Sequence, residues 1–497
     1  MRTLALPASL ALAFLTPNAL ADARGGVPNI LWIMLDDCRA DAFGCYGRPW
    51  AKTPNVDRIA RRGVMFRTAV TQCVVCAPSR HSMLTGHYCH TLRDMAMGAP
   101  PHTAPKYFPA EPPKSQIDFK AVLTSLGMRP LNVGKNHWGP WENIRPSGPS
   151  SARSRQLPPG LKAYPEVALL PPQLFPPSQS FNRSRRQVRW IIGGTTDEPL
   201  ENTQQAQITS AALDTLAKVV AQDAPFFLRV SYHAPHVPIR VPPEFMIDPD
   251  RVKLPYPTEE ELKSKSRFER LQLPQYCGSL HLTREELQIA RGTYYGLVSW
   301  VDHQVGRILD LLEEKGELDN TLIVINSDHG LQLGEHGIHK KVSFYEQTVS
   351  VPLIFSWPKH LPAGKVIEEP VELVDFLPTV LDLVGEKAIP GIAGRSLLPL
   401  IRGEQQEWRP AVFSEMDQSF NEYTCLRVAA GRQIMVRTKK WKMIYFRDER
   451  VPEKDGTLYN LAKDPGETMN LYNDPKLAGV IKQLETLVDA WDAGKRS

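Results

Sequence analysis

Cysteine is scarce: there are seven in 497 residues, and only one C-x-x-C, at Cys73-Val74-Val75-Cys76. Without a second such pair, a four-cysteine zinc site has no ligands. The single pair stays open as a redox couple, half of a zinc site, or something else. Excess charge is also missing. A net charge of +5 on so long a chain is too small to point to a nucleic-acid partner. Past the N-terminus no apolar run is long enough to span a bilayer, so no transmembrane segment is expected in the mature chain. Proline is the opposite case, with 44 residues. Tryptophan and aliphatic residues run throughout, so the prolines predict long ordered loops rather than disorder.

Residues 1–21 have the layout of a signal peptide. Arg2 is the basic end, residues 4–15 are the apolar run, and Ala19-Leu20-Ala21 is a small-x-small cleavage site. An exported product, periplasmic, secreted or in a lysosome-like lumen, is the expectation. Apart from Cys76 there remain Cys38, Cys45, Cys73, Cys89, Cys277 and Cys425, which permits disulfides in that compartment without fixing pairs. The length predicts one large domain, 22–390, and a smaller C-terminal unit, 391–497.

Four apolar runs end in polar clusters. Residues 29–35 read as a strand buried on both faces and lead into Asp36-Asp37. Residues 128–134 lead into Lys135 and His137, 225–231 into His233 and His236, and 321–327 into Asp328-His329. Adjacent carboxylates at the end of a buried strand are costly unless a cation compensates them; the bland reading is a solvated turn capping a helix. Helical spacing appears over 206–220 and over 284–315, where Gly292 or Gly296 predicts a break. Short strands at 433–436, 441–446 and 457–461 precede a final helix. The expected fold class is therefore α/β: a large mixed, mainly parallel sheet flanked by helices, with a smaller C-terminal α+β domain carrying an antiparallel sheet. Residues 140–191 and 241–283 read as loop-rich insertions. The first holds Arg183, Arg185, Arg186 and Arg189, a solvated basic face or an anion clamp. In open α/β sheets ligands bind beyond the carboxyl ends of the strands, so the four clusters define one candidate site.

The run 76–86 completes it. Pro78 suits a first helical turn, so Pro78-Ser79-Arg80 reads as a helix start, and Cys76 falls where unpaired N–H groups favour an anion. Cys76-Ala77-Pro78-Ser79-Arg80 with Leu84-Thr85-Gly86 resembles the sulfatase signature. Gly134-Lys135-Asn136-His137, Ser327-Asp328-His329-Gly330, Gly334-Glu335-His336-Gly337 and Leu458-Tyr459-Asn460-Leu461 are similar to further sulfatase blocks, in family order. Tyr232-His233-Ala234-Pro235-His236 looks closest to iduronate-2-sulfatase-like enzymes.

The resemblance implies a calcium-dependent hydrolase of sulfate esters in the alkaline-phosphatase-like superfamily. It implies that Cys76 is converted to formylglycine by a maturation enzyme, with Asp36, Asp37, Asp328, His329 and the modified residue 76 around one Ca2+. Arg80, Lys135 and His137 would hold the formylglycine and neutralise the sulfate. His233 and Lys341 would sit near the leaving oxygen, with His236 also contacting substrate. His329 stands where many sulfatases carry Asn, a poorer donor for a hard cation that would orient the sulfate. In the implied mechanism one hydroxyl of hydrated formylglycine attacks sulfur, and the second expels sulfate. A sulfated glycan is the expected substrate. His87 stands where the signature commonly has Arg, a position tied to maturation. A phosphonate monoester or phosphodiester hydrolase, and an unmatured binding relative, are the alternatives.

Overall fold

The structure is a computed structural model describing residues 27–47, 50–92, 119–137, 141–146, 162–163, 191–237, 239–272, 282–341, 343–387, 389–404, 407–417, 431–447 and 456–494. The proposed signal peptide, the four arginines of the first insertion, Cys277 and Cys425 lie outside these residues. Among the described residues Cys38, Cys45 and Cys76 carry free thiols.

Eight strands form the main sheet: β1 (Asn29–Asp36), β2 (Val64–Phe66), β3 (Pro130–Gly134), β4 (Glu142–Ile144), β5 (Phe227–Pro235), β6 (Thr321–Ser327), β7 (Leu353–Ser356) and β8 (Lys365–Ile367). Their order is β8-β2-β7-β6-β1-β5-β3-β4. Only β7 runs against its neighbours; the other pairings, β6-β1-β5-β3-β4 and β8-β2, are parallel. The sheet is thus mixed and mainly parallel, as the apolar runs predicted. Its central strand is buried along its whole length. Leu31, Ile33 and Leu35 enter the core on one face, while Ile30, Trp32 and Met34 enter the core on the other. That two-residue alternation between two apolar cores is why the run reads as continuous.

Among the helices that cover the faces are α1 (Pro54–Arg61), α2 (Cys76–Thr85), α3 (Gln204–Val219), α4 (Arg284–Glu314) and α5 (Phe376–Leu383). The expected break in α4 does not occur: it is one helix of 31 residues, opened by a capping box between Thr283 and Glu286. Its glycines serve close approach. A Cβ on Gly292 would lie 2.5 Å from the Ile247 carbonyl oxygen, and one on Gly296 would lie 2.3 Å from that of Phe245. The second insertion lies directly on the helix backbone. Glycine to alanine inside a helix normally stabilises by about 1 kcal/mol. Gly296→Ala is expected to do the reverse, destabilising by about 1–3 kcal/mol as the insertion is pushed off, read as a lower urea midpoint.

The C-terminal part is an antiparallel meander of β9 (Val412–Asp417), β10 (Arg432–Arg437), β11 (Trp441–Phe446) and β12 (Gly456–Asn460), closed by α6 (Ala478–Asp492). Leu484, Val488 and Trp491 of α6 share a core with Phe413, Ile434, Val436, Met443 and Leu458. The sequence reading located β10, β11 and β12. It missed β9, where Ser414, Glu415 and Asp417 interrupt the apolar pattern although all are buried.

Candidate active site

The carboxyl ends of β1, β3, β5 and β6 meet the first turn of α2. The helix begins at Cys76, two residues before the expected start, because Pro78 still falls in the first turn, where no backbone N–H is required. Gly86 closes it in a left-handed conformation, φ 68°. β5 also runs past its expected end at Ser231 to Pro235, so His233 belongs to the strand.

Asp36, Asp37 and Asp328 are all fully buried. Asp37 adopts φ 63°, uncommon for a residue with a side chain. Its backbone is held on both sides: the amide donates to Asp328 Oδ1 (3.2 Å) and the carbonyl accepts from the Tyr294 hydroxyl (2.7 Å). Three basic side chains answer the three carboxylates, though burial pulls Lys135 down to about 7. Arg80 Nε donates to Asp328 Oδ2 at 2.8 Å, and Arg80 Nη2 lies 3.5 Å from Asp36 Oδ2. Lys135 pairs with Asp36, and Lys341 Nζ sits 3.0 Å from Asp37 Oδ1. Cys76 Sγ lies among them, 3.1 Å from Lys341 Nζ, 3.2 Å from His329 Nε2 and 3.4 Å from Asp36 Oδ1.

The electrostatics follow the packing. Burial pushes the Cys76 thiol up to about 12, against the pull of Lys341. Burial works against the charged forms of Asp37 and Asp328, yet both are held below the usual carboxylate range. His236, Lys341 and His329 do this for Asp37; Arg80, His329, Lys135 and Lys341 do it for Asp328. Lys341 is raised despite burial, by Asp37 and Cys76. Burial, then Lys135 and Arg80, pull His233 down to about 3, so it is neutral near pH 7.

Ligand-type atoms of Asp36, Asp37, Cys76 and His236 lie within 4.8 Å of one another, as do those of Asp36, Cys76, Asp328 and His329. Asp37 Oδ2 is buried without a hydrogen-bond partner. An orphaned carboxylate oxygen beside two further buried carboxylates fits a hard divalent cation. The structure therefore gathers Asp36, Asp37, Cys76, Arg80, Lys135, Asp328, His329 and Lys341 into one cluster. His236 stands at its edge, Nε2 3.9 Å from Asp37 Oδ2, and His137 is exposed on the rim at φ 49°.

Several supporting residues escaped the sequence reading. Ser231 accepts from Arg80 Nη1 (3.2 Å), and Ser79 donates to the Asp328 carbonyl (2.6 Å). Arg39 and Arg291 both donate to Glu335 Oε1 at 2.8 Å, tying the loop after β6 to the Asp36-Asp37 turn. Arg39 follows that turn by two residues and could have been suspected. Nothing in the helical pattern of α4 marks Arg291 or Tyr294.

Residues 28–386 match the family described as Sulfatase, and residues 334–493 match the C-terminal region of N-sulphoglucosamine sulphohydrolase. The multifunctional alkaline phosphatase superfamily protein PehA of Trinickia caryophylli is 26% identical, covering 93% of this chain and 95% of its own. Mouse iduronate 2-sulfatase is 29% identical over 74% of this chain and 70% of its own. The phosphonate monoester hydrolase of Agrobacterium radiobacter superposes with a TM-score of 0.73 at 25% identity, covering 93% of this chain and 95% of that one.

Proposed function

Because the chain belongs to the sulfatase family and is a sulfuric ester hydrolase, we propose that it desulfates sulfated carbohydrates through a formylglycine made from Cys76. The observation that carries this reading is the setting of Cys76: a buried sulfur within 3.4 Å of Lys341, His329 and Asp36. A thiol that burial keeps protonated is a poor nucleophile as cysteine, which favours its use after conversion. Formylglycine supplies, as its hydrate, one hydroxyl to attack sulfur and a second to release sulfate.

Asp36, Asp37 and Asp328 would hold a Ca2+ ion, with His329 at the edge of the shell, and the ion would polarise the sulfate oxygens and acidify the nucleophile. Arg80 fixes the two carboxylates it touches. Lys135 and Lys341 face the same pocket; Lys341 neutralises charge that develops on sulfate oxygens, and Lys135, which burial pulls down to about 7, offers them a hydrogen bond. His233, neutral near pH 7, offers the leaving oxygen a hydrogen bond. Lys341, held charged by Asp37 and Cys76, stabilises charge on the leaving oxygen, and either it or His233 protonates that oxygen. His137 and His236 at the rim contact the substrate. The chain is exported, and a maturation enzyme modifies Cys76.

The glycan assignment draws support from iduronate 2-sulfatase among the relatives and from the N-sulphoglucosamine sulphohydrolase match. PehA and the Agrobacterium structure favour a second reading, a phosphonate monoester or phosphodiester hydrolase on the same site. Mass spectrometry of the tryptic peptide 68–80, from protein made in its native host, tests the nucleophile. The expected result is an aldehyde at residue 76, trappable by hydrazide; an unmodified thiol would overturn the reading. Turnover of aryl sulfate against aryl phosphonate then separates the two substrate classes.

A further inference from the structure

We propose that Tyr345 is a positioning residue for Lys341 and couples it to the insertion 241–283, an inference that rests on the role given to Lys341 above. Lys341 sits on a loop whose base is closed by two rings: His336 stacks on Tyr345 with centroids 3.6 Å apart and planes 8° from parallel. The insertion grips this base. His336 Nδ1 lies 2.8 Å from Glu261 Oε1, which lies 3.3 Å from Lys265 Nζ, which donates to the Tyr345 hydroxyl at 2.9 Å. The stack returns from Tyr345 to His336, so the four residues form a closed circuit.

The hydroxyl is used fully. It donates to Glu269, also from the insertion, and lies 3.3 Å from the Tyr459 hydroxyl of β12. Glu261, Lys265, Glu269, His336, Tyr345 and Tyr459 are all buried. At the same base Glu335, next to His336, is fixed to Arg39, two residues from Asp37. Residue 346 is anchored in turn, its amide donating to Glu467 at 2.7 Å and its carboxylate pairing with Arg437 and Lys442.

Such a polar circuit is an expensive way to achieve stability alone, because buried ionic groups often do no better than apolar packing. Its geometric effect is specific. Lysine reaches its target on a flexible four-carbon stem, and Nζ must lie near both Asp37 and Cys76. That requires a fixed backbone at residue 341, and the circuit supplies one from the insertion 241–283.

The test is a double-mutant cycle on the matured full-length protein, with Tyr345→Phe, Lys341→Ala and the combination. Turnover of para-nitrophenyl sulfate and affinity for inorganic sulfate are both read, with thermal midpoints alongside. Tyr345→Phe keeps the stack and removes only the hydroxyl. It is expected to lower kcat about tenfold, with KM changed less than about twofold. In the Lys341→Ala background it is expected to change nothing further. Lys265→Met, a change wholly within the insertion, is expected to behave in the same way and replaces Tyr345→Phe if that variant folds poorly. An equal loss in both backgrounds would mark a general structural effect and overturn the proposal alone. Lys341→Ala with wild-type turnover and sulfate affinity would overturn the role of Lys341 itself, and the proposal with it.

Discussion

Cys76→Ala lowers turnover of sulfate esters by roughly four orders of magnitude or more, with the thermal midpoint unchanged. Removing the proposed nucleophile would abolish the covalent route and leave only what charge stabilisation provides, a loss on the order of 10⁴–10⁶ in well-studied hydrolases. The fold should tolerate the change. Cys76 occupies the first helical position of α2, and the helix is anchored elsewhere, by Ser79 to the Asp328 carbonyl and by Arg80 to Asp328. Lys341 keeps its pairing with Asp37 when the sulfur is gone. The measurements are kcat/KM on aryl sulfate and a thermal melt. A variant within tenfold of wild type would remove Cys76 from the chemistry.

Asp328→Asn is expected to cost both activity and stability. Arg80 and Asp328 are each fully buried and meet at 2.8 Å. Neutralising the carboxylate leaves a buried guanidinium with less compensation, which destabilises by about 3–5 kcal/mol. Losing a proposed cation ligand at the same position lowers turnover by roughly 10²–10³. The pH dependence has a definite sign. The folded-state pKa of Asp328 lies below the ordinary value of 3.8, because the opposing effect of burial is outweighed by Arg80, His329 and the two lysines. Its contribution is therefore present above about pH 4 and lost as the pH falls toward the folded-state pKa. Denaturant titrations should show a wide gap between wild type and variant at neutral pH that narrows in acid. A gap independent of pH would place the destabilisation elsewhere.

Much of this was written in local sequence. The run 29–35 is apolar on both faces because the sheet has a core on each side, and the sheet's parallel direction gathers the polar strand ends at one edge. What local pattern could not show were features made by distant segments. Gly292 and Gly296 look like helix breakers until the carbonyls of Ile247 and Phe245 are placed against them. Tyr294 has the periodicity of a core residue, yet its hydroxyl holds the Asp37 backbone. Tyr345 and Lys265 are 80 positions apart and carry no motif. The strand β9 hides because Glu415 is buried by pairing with His90 and Arg432, side chains from other parts of the chain.

The matched charges at the strand ends bear on the order of assembly. Asp36, Asp37 and Asp328 meet Arg80, Lys135 and Lys341, so each carboxylate has a basic partner from the chain itself, although burial pulls Lys135 down to about 7. A bare cluster of three buried carboxylates would have to wait for an ion before the strands could close around it, as small metal-nucleated domains do. Here the protein brings its own counterions. The chain would close first, and the proposed divalent ion would follow. Loading of the proposed ion would then add positive charge to the pocket, a charge suited to drawing in an anionic ester rather than to holding the fold together.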